Sequence, residues 1–528
     1  MKLLATDTHD FPSLRRDGKI YVDKTKYIHR LVAGNDTKLF FISRPRRFGK
    51  SLMVSALKAL FQGRRELFKG LYIDKTDWEW KAYPVIHLEF NDLTTANEEE
   101  FARDLTAHLK ERLVAVGYAY DDSMSAHMNF GNAITSLSAA NGGNGVVILV
   151  DEYDAPVGHA LGDVGLAEKI RDRLSAVYSQ MKNRTGDIKF LFMTGVSKFT
   201  KLSVFSALSN LVDVSQEYEY ATMFGYTEEE LSANFEDHLR EHAKIMGKTY
   251  EDYRAEMKWW YNGFRFAKGD KTTVYNPISI ALTLYYKESR GFSATWATTG
   301  RPSMLMNFLK REDMLAVTPE RIEDVDESEF DVADLRNLTP IAMLFQSGYL
   351  TVKDYSAEKD SYTLGVPDEE VRRDLCTLMA GVAANRTSVW AASLGKKLLG
   401  GKWDVVFDGL RALYAAMAYG STEKSVHENS YGRCLSFLLA SQGFEFTMES
   451  VQSNGRADIV AKHPALVCIF ELKVDEPVDR AFAQICGKKY AEPYLADRRP
   501  IWLIGLSFDS KTRHLVDFAA RRYGEVAS

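Results

Sequence analysis

Residues 38–51 read KLFFISRPRRFGKS, and they decide the fold of the first part of the chain. Their first six residues form an apolar run typical of a buried β-strand, and an apolar helical pattern follows over residues 52–61. A strand, a loop, Gly-Lys-Ser and a helix in this order bring backbone N–H groups and a lysine to a helix N-terminus, where phosphate binds. The stretch therefore predicts a phosphate-binding loop.

Three further apolar runs of strand length follow the loop. They span residues 85–90 (VIHLEF), 146–150 (VVILV) and 188–194 (IKFLFMT), and helical or polar stretches separate them. Buried strands that alternate with helices predict a parallel α/β sheet. We therefore expect residues 1–225 to form a P-loop NTPase domain around such a sheet.

The Gly49-Lys50-Ser51 triplet supplies the groups that nucleotide phosphates require. The lysine reaches the β- and γ-phosphates, the serine hydroxyl binds Mg²⁺, and backbone N–H groups surround the phosphates. The usual loop begins with a glycine five residues before the second glycine, whereas this sequence has Arg44 there. The triplet predicts ATP and Mg²⁺ at this loop, although the motif by itself is incomplete.

The run at residues 146–150 ends in Asp151 and Glu152. Asp151 is suited to hold Mg²⁺ through water, and Glu152 is suited to polarise the water that attacks the γ-phosphate. A solvated strand end is the alternative, but the acids follow an apolar strand in the same chain as Lys50. We therefore assign Asp151 to ATP and metal binding and Glu152 to catalysis.

Three more residues near the loop each have two interpretations. Thr194 ends the fourth apolar run, where it either senses the γ-phosphate or caps a turn. Arg46 and Arg47 either bind phosphate and nearby acids or only solvate a turn. We include these three residues, together with Phe48, in the predicted ATP site and give the two arginines no catalytic role.

After residue 225 the chain turns helical and amphipathic. Thr227 precedes three glutamates, a pattern typical of an N-cap with acids in the first helical turn, and the stretch to residue 334 predicts a helical lid. A helical pattern over residues 338–345 and two strand-like runs then predict a winged-helix unit. Such a unit either contacts DNA or serves as an ATPase arm, and its helix lacks a basic stripe. We assign residues 226–420 to this lid and arm.

The composition changes near residues 419–424, where we place a boundary before a last domain at 421–528. That domain begins with a helix that has an apolar face. Three strand-like runs follow, at residues 446–452, 456–462 and 466–474, and a helix-strand portion ends the chain.

Asp458 lies in the second of these runs, and Glu471 and Lys473 lie two residues apart in the third, so they share a strand face. Two carboxylates can hold Mg²⁺ or Mn²⁺ at a scissile phosphate, while the lysine orients water or stabilises charge. Glu428, near the start of the preceding helix, is a candidate for a further metal ligand. The pattern predicts a phosphodiesterase site with Asp458, Glu471 and Lys473 as catalytic residues.

Two alternatives stay open for this domain. The Glu-x-Lys pair would also suit the solvent face of an edge strand, although charges inside an apolar strand are costly when they serve no purpose. Gln484 and Tyr490 belong to the helical stretch that follows, and they either approach the phosphate or only pack.

Composition restricts the class of protein. The chain has 528 residues, 45% of them hydrophobic, which is enough for several cores. Its net charge of -5 provides no overall basic field, so nucleic acid would need a local patch. Four cysteines without a CxxC pair indicate neither a disulfide framework nor a zinc site, and no signal peptide or membrane-spanning run is seen. We expect a cytoplasmic protein with no membrane partner.

These motifs together resemble the prokaryotic AAA-ATPase-like proteins that carry a C-terminal PD-(D/E)XK nuclease-superfamily domain. The resemblance covers nearly the whole chain and includes a loop that reads Arg-Pro-Arg-Arg-Phe-Gly-Lys-Ser. The matching stretches are residues 18–25 (GKIYVDKT), 44–51 (RPRRFGKS), 150–154 (VDEYD), 194–199 (TGVSKF), 261–264 (YNGF) and 274–277 (VYNP).

The resemblance implies a P-loop domain with a helical and winged-helix arm, followed by a restriction-endonuclease-like α/β domain. It implies ATP at Lys50 and Ser51 with Mg²⁺ through Asp151. It also implies that Glu428, Asp458 and the Glu471–Lys473 pair are the acids and the lysine of the nuclease superfamily.

Three functions are compatible with these features. The leading hypothesis is an ATPase that controls a metal-dependent nuclease, with DNA as the substrate and RNA as the alternative. A second is a signalling or scaffold ATPase whose last domain binds nucleic acid or a partner without cutting. A third is a nucleotide sensor that never hydrolyses ATP. A homo-oligomer is left open because no arginine finger can be identified.

Overall fold

The computed structural model describes residues 1–6, 8–34, 37–198, 208, 210–286, 291–296, 305, 321–332, 338–417, 428–452, 455–512 and 514–524. The chain divides into two compact units. The first comprises Met1–Ser293, Ser303–Phe308 and Pro319–Glu369, and the second comprises Ala294–Pro302, Leu309–Thr318 and Glu370–Ser528.

The first unit contains a five-stranded parallel sheet, as the sequence predicts. Its strands are β1 (Leu39–Ser43), β2 (Val85–Glu89), β3 (Val146–Asp151), β4 (Ile188–Gly195) and β5 (Val212–Asp213). Their order across the sheet is β2-β3-β4-β1-β5, so β4 lies between the strand of the phosphate loop and the strand that ends in Asp151. The four predicted strands are confirmed, and β5 is too short to give a periodic signal.

Helices cover this sheet because each presents an apolar stripe to the buried strands. They are α1 (Phe11–Arg16), α2 (Thr25–Ala33), α3 (Lys50–Phe61), α4 (Glu98–Ala115), α5 (Ala126–Ala140), α6 (Ala155–Ala160) and α7 (Val164–Lys182). Strand β3 is buried along its whole length, and so are seven of the eight residues of β4. The carboxyl ends of these strands therefore meet at one edge beside the start of α3.

The segment that the sequence predicts as a lid contains α8 (Glu228–Ile245), α9 (Tyr250–Tyr261) and α10 (Pro277–Tyr285), with a short antiparallel pair, β6 (Asn262–Phe264) and β7 (Val274–Tyr275). Thr227 caps α8 as predicted. Its hydroxyl accepts a hydrogen bond from the Glu230 backbone N–H, and the Glu230 carboxylate accepts one from the Thr227 N–H. This reciprocal capping starts the lid helix at a defined residue.

The winged-helix unit is built from α11 (Glu327–Phe330), α12 (Pro340–Gln346) and the strands β8 (Ile322–Val325), β9 (Thr351–Ser356) and β10 (Ser361–Gly365). The strands form an antiparallel sheet in the order β8-β10-β9 around a small apolar cluster. Helix α12 reads PIAMLFQ and has no charged residue, so it does not present a basic surface to DNA. The choice between an ATPase arm and a DNA contact made by other parts of the unit stays a prediction.

The second unit contains α13 (Glu369–Ala383), α14 (Ser388–Leu399), α15 (Trp403–Met417), α16 (Glu428–Ser441) and α17 (Val478–Gly487). Its strands are β11 (Glu445–Gln452), β12 (Gly455–His463), β13 (Leu466–Val474), β14 (Ile501–Phe508) and β15 (Leu515–Arg522), in that order across the sheet. Among the strand pairs of this sheet that the structure describes, β13–β14 is parallel and the other three are antiparallel.

Alternate residues of β13 face two different cores. Cys468, Phe470 and Leu472 pack with α14, α15 and α16, whereas Val467 and Ile469 pack with α17. Strand periodicity therefore puts Glu471 and Lys473 on the α17 side of the sheet. Residues 370–417 belong to this compact unit, and the predicted boundary at 419–424 lies outside the described residues and stays a prediction.

None of the helices in the described part of the chain combines the length and the apolar character that crossing a bilayer requires.

Candidate active sites

The phosphate loop turns sharply before α3. Arg47 and Gly49 both have left-handed backbone conformations, with φ values of 69° and 94°. Glycine adopts this conformation without a Cβ penalty, which explains Gly49 directly before the helix. The buried Lys50 Nζ donates hydrogen bonds to the carbonyl oxygens of Arg44, at 3.0 Å, and Pro45, at 2.9 Å. Burial lowers its pKa, which the charges of nearby acids partly oppose.

Arg44, which stands where a glycine is usual, is a buried structural residue. Its guanidinium donates to the carbonyl oxygens of Ser43, at 2.9 Å, Ser215, at 2.6 Å, and Tyr220, at 3.3 Å. Burial lowers the pKa of this arginine to about 9. The side chain thus anchors the start of the loop to the segment after β5.

Asp151 is buried at the end of β3 and is brought to Ser51 at the start of α3, although β4 separates the two strands. Burial raises the pKa of Asp151, and the nearby Ser51 side chain opposes this shift only in part. A serine hydroxyl beside a carboxylate is a donor set that fits Mg²⁺. Ser51 and Asp151 are therefore the residues that would hold this ion.

Glu152 follows in a left-handed conformation, with φ of 49°, and its backbone N–H donates to Asp151 Oδ1 at 2.9 Å. Burial raises its pKa, and the charge of Lys50 opposes this shift. A constrained carboxylate beside a lysine is suited to orient water at a phosphate. The predicted acid pair and the lysine are thus neighbours in space.

Glu89 is an acid at this edge that the sequence analysis did not single out. It ends β2 and pairs in register with Asp151 of β3. Burial and then the neighbouring Asp151 raise the pKa of Glu89. The sequence signal that could have identified Glu89 is an apolar run that ends in an acid, as in β3. No second motif stands beside this run.

Thr194 is fully buried in β4, opposite Ile42 of β1. Its hydroxyl donates to the Ile42 carbonyl oxygen at 2.9 Å. Just beyond Thr194 in the chain, the backbone N–H groups of Val196 and Ser197 donate hydrogen bonds to the Asp154 carboxylate, at 3.1 Å and 2.6 Å. Thr194 therefore lies between the loop strand and the acid strand, and a role as γ-phosphate sensor stays a prediction. Phe199, in the same motif, lies outside the described residues.

The other three predicted ATP-site residues differ in exposure. Phe48 is buried and packs edge-on against Phe264 and Phe266 of the lid, whereas Arg46 and Arg47 are half-buried. The charge of Arg46 acts on both Lys50 and Glu152. Arg46 therefore lies near both groups, and the roles of Arg46, Arg47 and Phe48 in ATP binding stay predictions.

In the second unit, strands β12 and β13 bring Asp458 and Glu471 together. The ladder ends at the pair Ile459–Phe470, and Asp458 and Glu471 are the next residue on each strand. They are close enough for the charge of Asp458 to act on Glu471. Asp458 Oδ2 accepts a hydrogen bond from the Leu472 N–H at 2.7 Å, which holds the carboxylate at the strand edge. The two acids therefore form a pair on adjacent strands, as the strand spacing predicts.

Glu471 is 1% exposed, and its Oε1 accepts a hydrogen bond from Lys473 Nζ at 2.8 Å. Its Oε2 is buried and has no hydrogen-bond partner among the described residues. Burial raises the pKa of Glu471 to about 7, because Lys473 only partly offsets the loss of solvent and Asp458 adds repulsion. A buried carboxylate oxygen without a donor is costly unless a cation completes it.

Lys473 is held by helix α17 as well as by Glu471. Lys473 Nζ donates to Gln484 Oε1 at 2.8 Å, and the Gln484 amide lies 3.5 Å from the Tyr490 hydroxyl. Tyr490 in turn donates to the Arg456 carbonyl oxygen at 2.8 Å. Gln484 and Tyr490 therefore have definite contacts at this site, where the sequence left packing and phosphate binding open.

The acids fit a divalent cation, since the positive ion would satisfy the buried Glu471 Oε2 and carboxylate oxygens are the ligands that such hard cations prefer. Asp458 and Glu471 are the residues that would hold Mg²⁺ or Mn²⁺. Across the described side chains, no group of three or more His, Cys, Asp or Glu residues forms a cluster of this kind. Glu428 begins α16, but its side chain lies outside the described part, so its role as a further ligand stays a prediction.

Comparisons with known proteins cover both units. Residues 6–205 match a family described as a predicted AAA-ATPase, and residues 426–518 match the PD-(D/E)XK nuclease superfamily. A relative from Azotobacter chroococcum mcd 1, described as an uncharacterized protein in the vnfD 5' region, is 32% identical over 546 residues, which cover 99% of each chain. No solved structure matches the chain. The similarity thus extends over the lid and the winged-helix unit as well.

Proposed function

Because the chain belongs to the AAA-ATPase-like family with a C-terminal PD-(D/E)XK nuclease-superfamily domain, we propose that it binds and hydrolyses ATP to control a metal-dependent nuclease. The substrate of the nuclease is DNA, and the protein acts in the cytoplasm. The observation that carries the proposal is the buried Glu471, whose Oε2 has no partner among the described residues beside Asp458 and Lys473.

At the ATP site, phosphate oxygens would replace the carbonyl oxygens of Arg44 and Pro45 as acceptors for Lys50. Ser51 and Asp151 would hold Mg²⁺, which neutralises charge on the phosphates when it is bound. Glu152 orients the attacking water, and its raised pKa makes it a better proton acceptor than an exposed glutamate.

At the nuclease site, Asp458 and Glu471 would hold Mg²⁺ or Mn²⁺, which polarises the scissile phosphate and lowers the pKa of bound water. Lys473 is fixed between Glu471 and Gln484. It donates a hydrogen bond either to the attacking water or to the phosphate oxygens on which negative charge develops. The hydrogen bond from Leu472 keeps Asp458 aimed at the same place.

Two exposed cations support nucleic acid as the substrate. Arg456, on the same strand as Asp458, and Lys488, which follows α17, are both exposed. The Lys488 Cδ lies 3.5 Å from the place where a Cβ of Gly455 would stand, so the lysine side chain lies beside the residue that begins the Asp458 strand. Phosphate contacts of this kind give affinity without sequence preference, even in a chain with a net charge of -5.

A cleavage assay tests the proposal. Labelled duplex DNA, single-stranded DNA and RNA are incubated with Mg²⁺ or Mn²⁺, with and without ATP, using wild type, Asp458→Asn and Lys50→Ala. Asp479→Asn is the matched control, because Asp479 is an exposed acid on α17. We expect Asp458→Asn to lose cleavage by more than ~100-fold, since a metal ligand contributes several kcal/mol to the transition state.

The Lys50→Ala variant separates the two activities. It should lose ATP turnover and keep the nuclease site, so cleavage that no longer responds to ATP supports the proposed control. Wild type that binds ATP with Mg²⁺ but leaves every DNA form and RNA intact would contradict the nuclease. Cleavage of RNA alone would correct the substrate.

A further inference from the structure

Residues 263–266, Gly-Phe-Arg-Phe, run between the phosphate loop and the winged-helix unit, and we call them the bridge segment. Its even-numbered residues face the loop. The Phe48 ring centroid lies 4.8 Å from that of Phe264 and 5.2 Å from that of Phe266, with interplanar angles of 74° and 85°. These edge-to-face contacts fix the position of Phe48 next to Gly49 and Lys50.

Phe266 also reaches the start of the loop. The Arg44 guanidinium carbon lies 4.3 Å from the centroid of the Phe266 ring, within the range of a cation–π contact. The Phe266 ring therefore contacts both Arg44, at the start of the phosphate loop, and Phe48, directly before Gly49. Because Arg44 replaces the usual first glycine, the loop has an anchored start, and the Phe266 ring forms one face of that anchor.

The odd-numbered residues face the winged-helix unit. Any side chain at Gly263 would collide with the Pro367 carbonyl oxygen, so the two backbones lie in direct contact. The Thr351 hydroxyl of β9 accepts a hydrogen bond from the Arg265 N–H at 2.9 Å and donates to the Arg265 carbonyl oxygen at 3.0 Å. Arg265 Nη1 also donates to the Lys353 carbonyl oxygen at 2.8 Å.

The alternation has a physical cause. Successive residues of an extended backbone point to opposite sides, so a four-residue stretch can contact two bodies at once. Phe264, Arg265 and Thr351 are all buried, and buried, hydrogen-bonded groups do not shift independently of one another. A displacement of β9 would therefore move the aromatic rings that hold the phosphate loop.

We propose that Phe264 and Phe266 are positioning residues of the ATP site, and that the bridge segment makes ATP affinity depend on the winged-helix unit. The proposal rests on ATP binding at Lys50. Coupling between binding events is reciprocal, so ATP at the loop also restrains β9. The winged-helix unit is then the part of the chain that responds to ATP.

Titration of the full chain with ATP and Mg²⁺ by calorimetry tests this proposal. Phe266→Leu keeps apolar volume but removes the ring, Phe266→Tyr keeps the ring, and Thr351→Val removes the hydroxyl that joins β9 to Arg265. Phe235→Leu is the matched control, a buried phenylalanine of α8 that packs on Tyr226. Thermal unfolding without ATP measures any loss of stability separately.

We expect Phe266→Leu to raise the Kd for ATP by about tenfold, as loss of the cation–π contact with the buried Arg44 allows. Phe266→Tyr should stay within about twofold of wild type, and Thr351→Val should raise the Kd by about fivefold although it lies on the winged-helix unit. Phe235→Leu should leave the Kd unchanged. Hydrogen exchange of β9 should slow on addition of ATP in wild type, and less so in Phe266→Leu at saturating ATP.

Unchanged ATP affinity in both Phe266→Leu and Thr351→Val would overturn the proposal and leave the ATP site intact. An equal loss in Phe235→Leu would also overturn it, because the effect would then follow from general destabilisation. Wild type that fails to bind ATP would instead overturn the proposed function. A raised Kd for ATP in Phe266→Leu, together with a Kd close to that of wild type in Phe266→Tyr, supports positioning by the aromatic ring.

Discussion

Replacing Glu471 by glutamine should stabilise the metal-free second unit at alkaline pH. The folded state buries this carboxylate and leaves one oxygen without a described partner, which raises its pKa from 4.5 to about 7. A shift of that size corresponds to about 3 kcal/mol of preference for the neutral form. Glutamine has nearly the same shape as the neutral acid, so Glu471→Gln removes the cost of burying the charge.

The sign of the effect follows from linkage. A group whose pKa is raised on folding favours the folded state fully below its unfolded pKa, and this contribution is lost as the pH rises through the folded pKa. For Glu471 the loss runs from about pH 4.5 to about pH 7. The free energy of unfolding of the second unit should therefore be lower in wild type than in Glu471→Gln. The difference should be less than ~1 kcal/mol at pH 5 and about 3 kcal/mol at pH 8.

Hydrogen exchange of the β13 amides measures this difference, because it reports the opening free energy of the second unit separately from the rest of the chain. The measurement is made with a chelator and then with Mg²⁺. A metal at 100 times its Kd should stabilise wild type by about 2.7 kcal/mol and the variant much less. A metal-free variant that is less stable than wild type at pH 8, or a difference that does not change with pH, would refute the reasoning.

Two other predictions concern single contacts. Lys198→Met should destabilise the first unit by about 3–5 kcal/mol in urea unfolding, because Lys198 is buried between Asp213, at 3.1 Å, and Asp331, at 2.9 Å; Lys198→Arg should recover most of the loss. Equal stability of the Met variant and wild type would contradict this. Gln484→Leu should slow single-turnover cleavage by about tenfold with Mg²⁺ affinity nearly unchanged, since Gln484 binds Lys473 and neither carboxylate; a parallel fall in metal affinity would contradict it.

The elements that the sequence predicts correctly are those with a strong local pattern. The strands around the phosphate loop are continuous apolar runs, and the Thr227 cap is a four-residue signal, so both follow from neighbours in the chain. The spacing of Glu471 and Lys473 likewise fixes one strand face before any fold is known. The short β5 and the pairing of Glu89 with Asp151 have no such signal.

The candidate sites were recognisable as motifs, but their chemistry depends on long-range packing. The sequence locates Lys50, Asp151 and Glu471, whereas the burial that raises the pKa of Glu471 comes from neighbouring strands and α17. The structural role of Arg44 could not be predicted either, because its hydrogen-bond acceptors at Ser215 and Tyr220 lie about 170 residues away in the chain.

The sequence by itself therefore determined the strands, the phosphate loop, the acid pair that follows β3 and the Glu-x-Lys strand, because periodicity and motif spacing are local properties. Only the tertiary structure decided that β4 lies between the loop strand and the acid strand, and that Phe266 contacts both Arg44 and Phe48. Such contacts depend on which buried surfaces meet, and close packing of distant segments makes that choice.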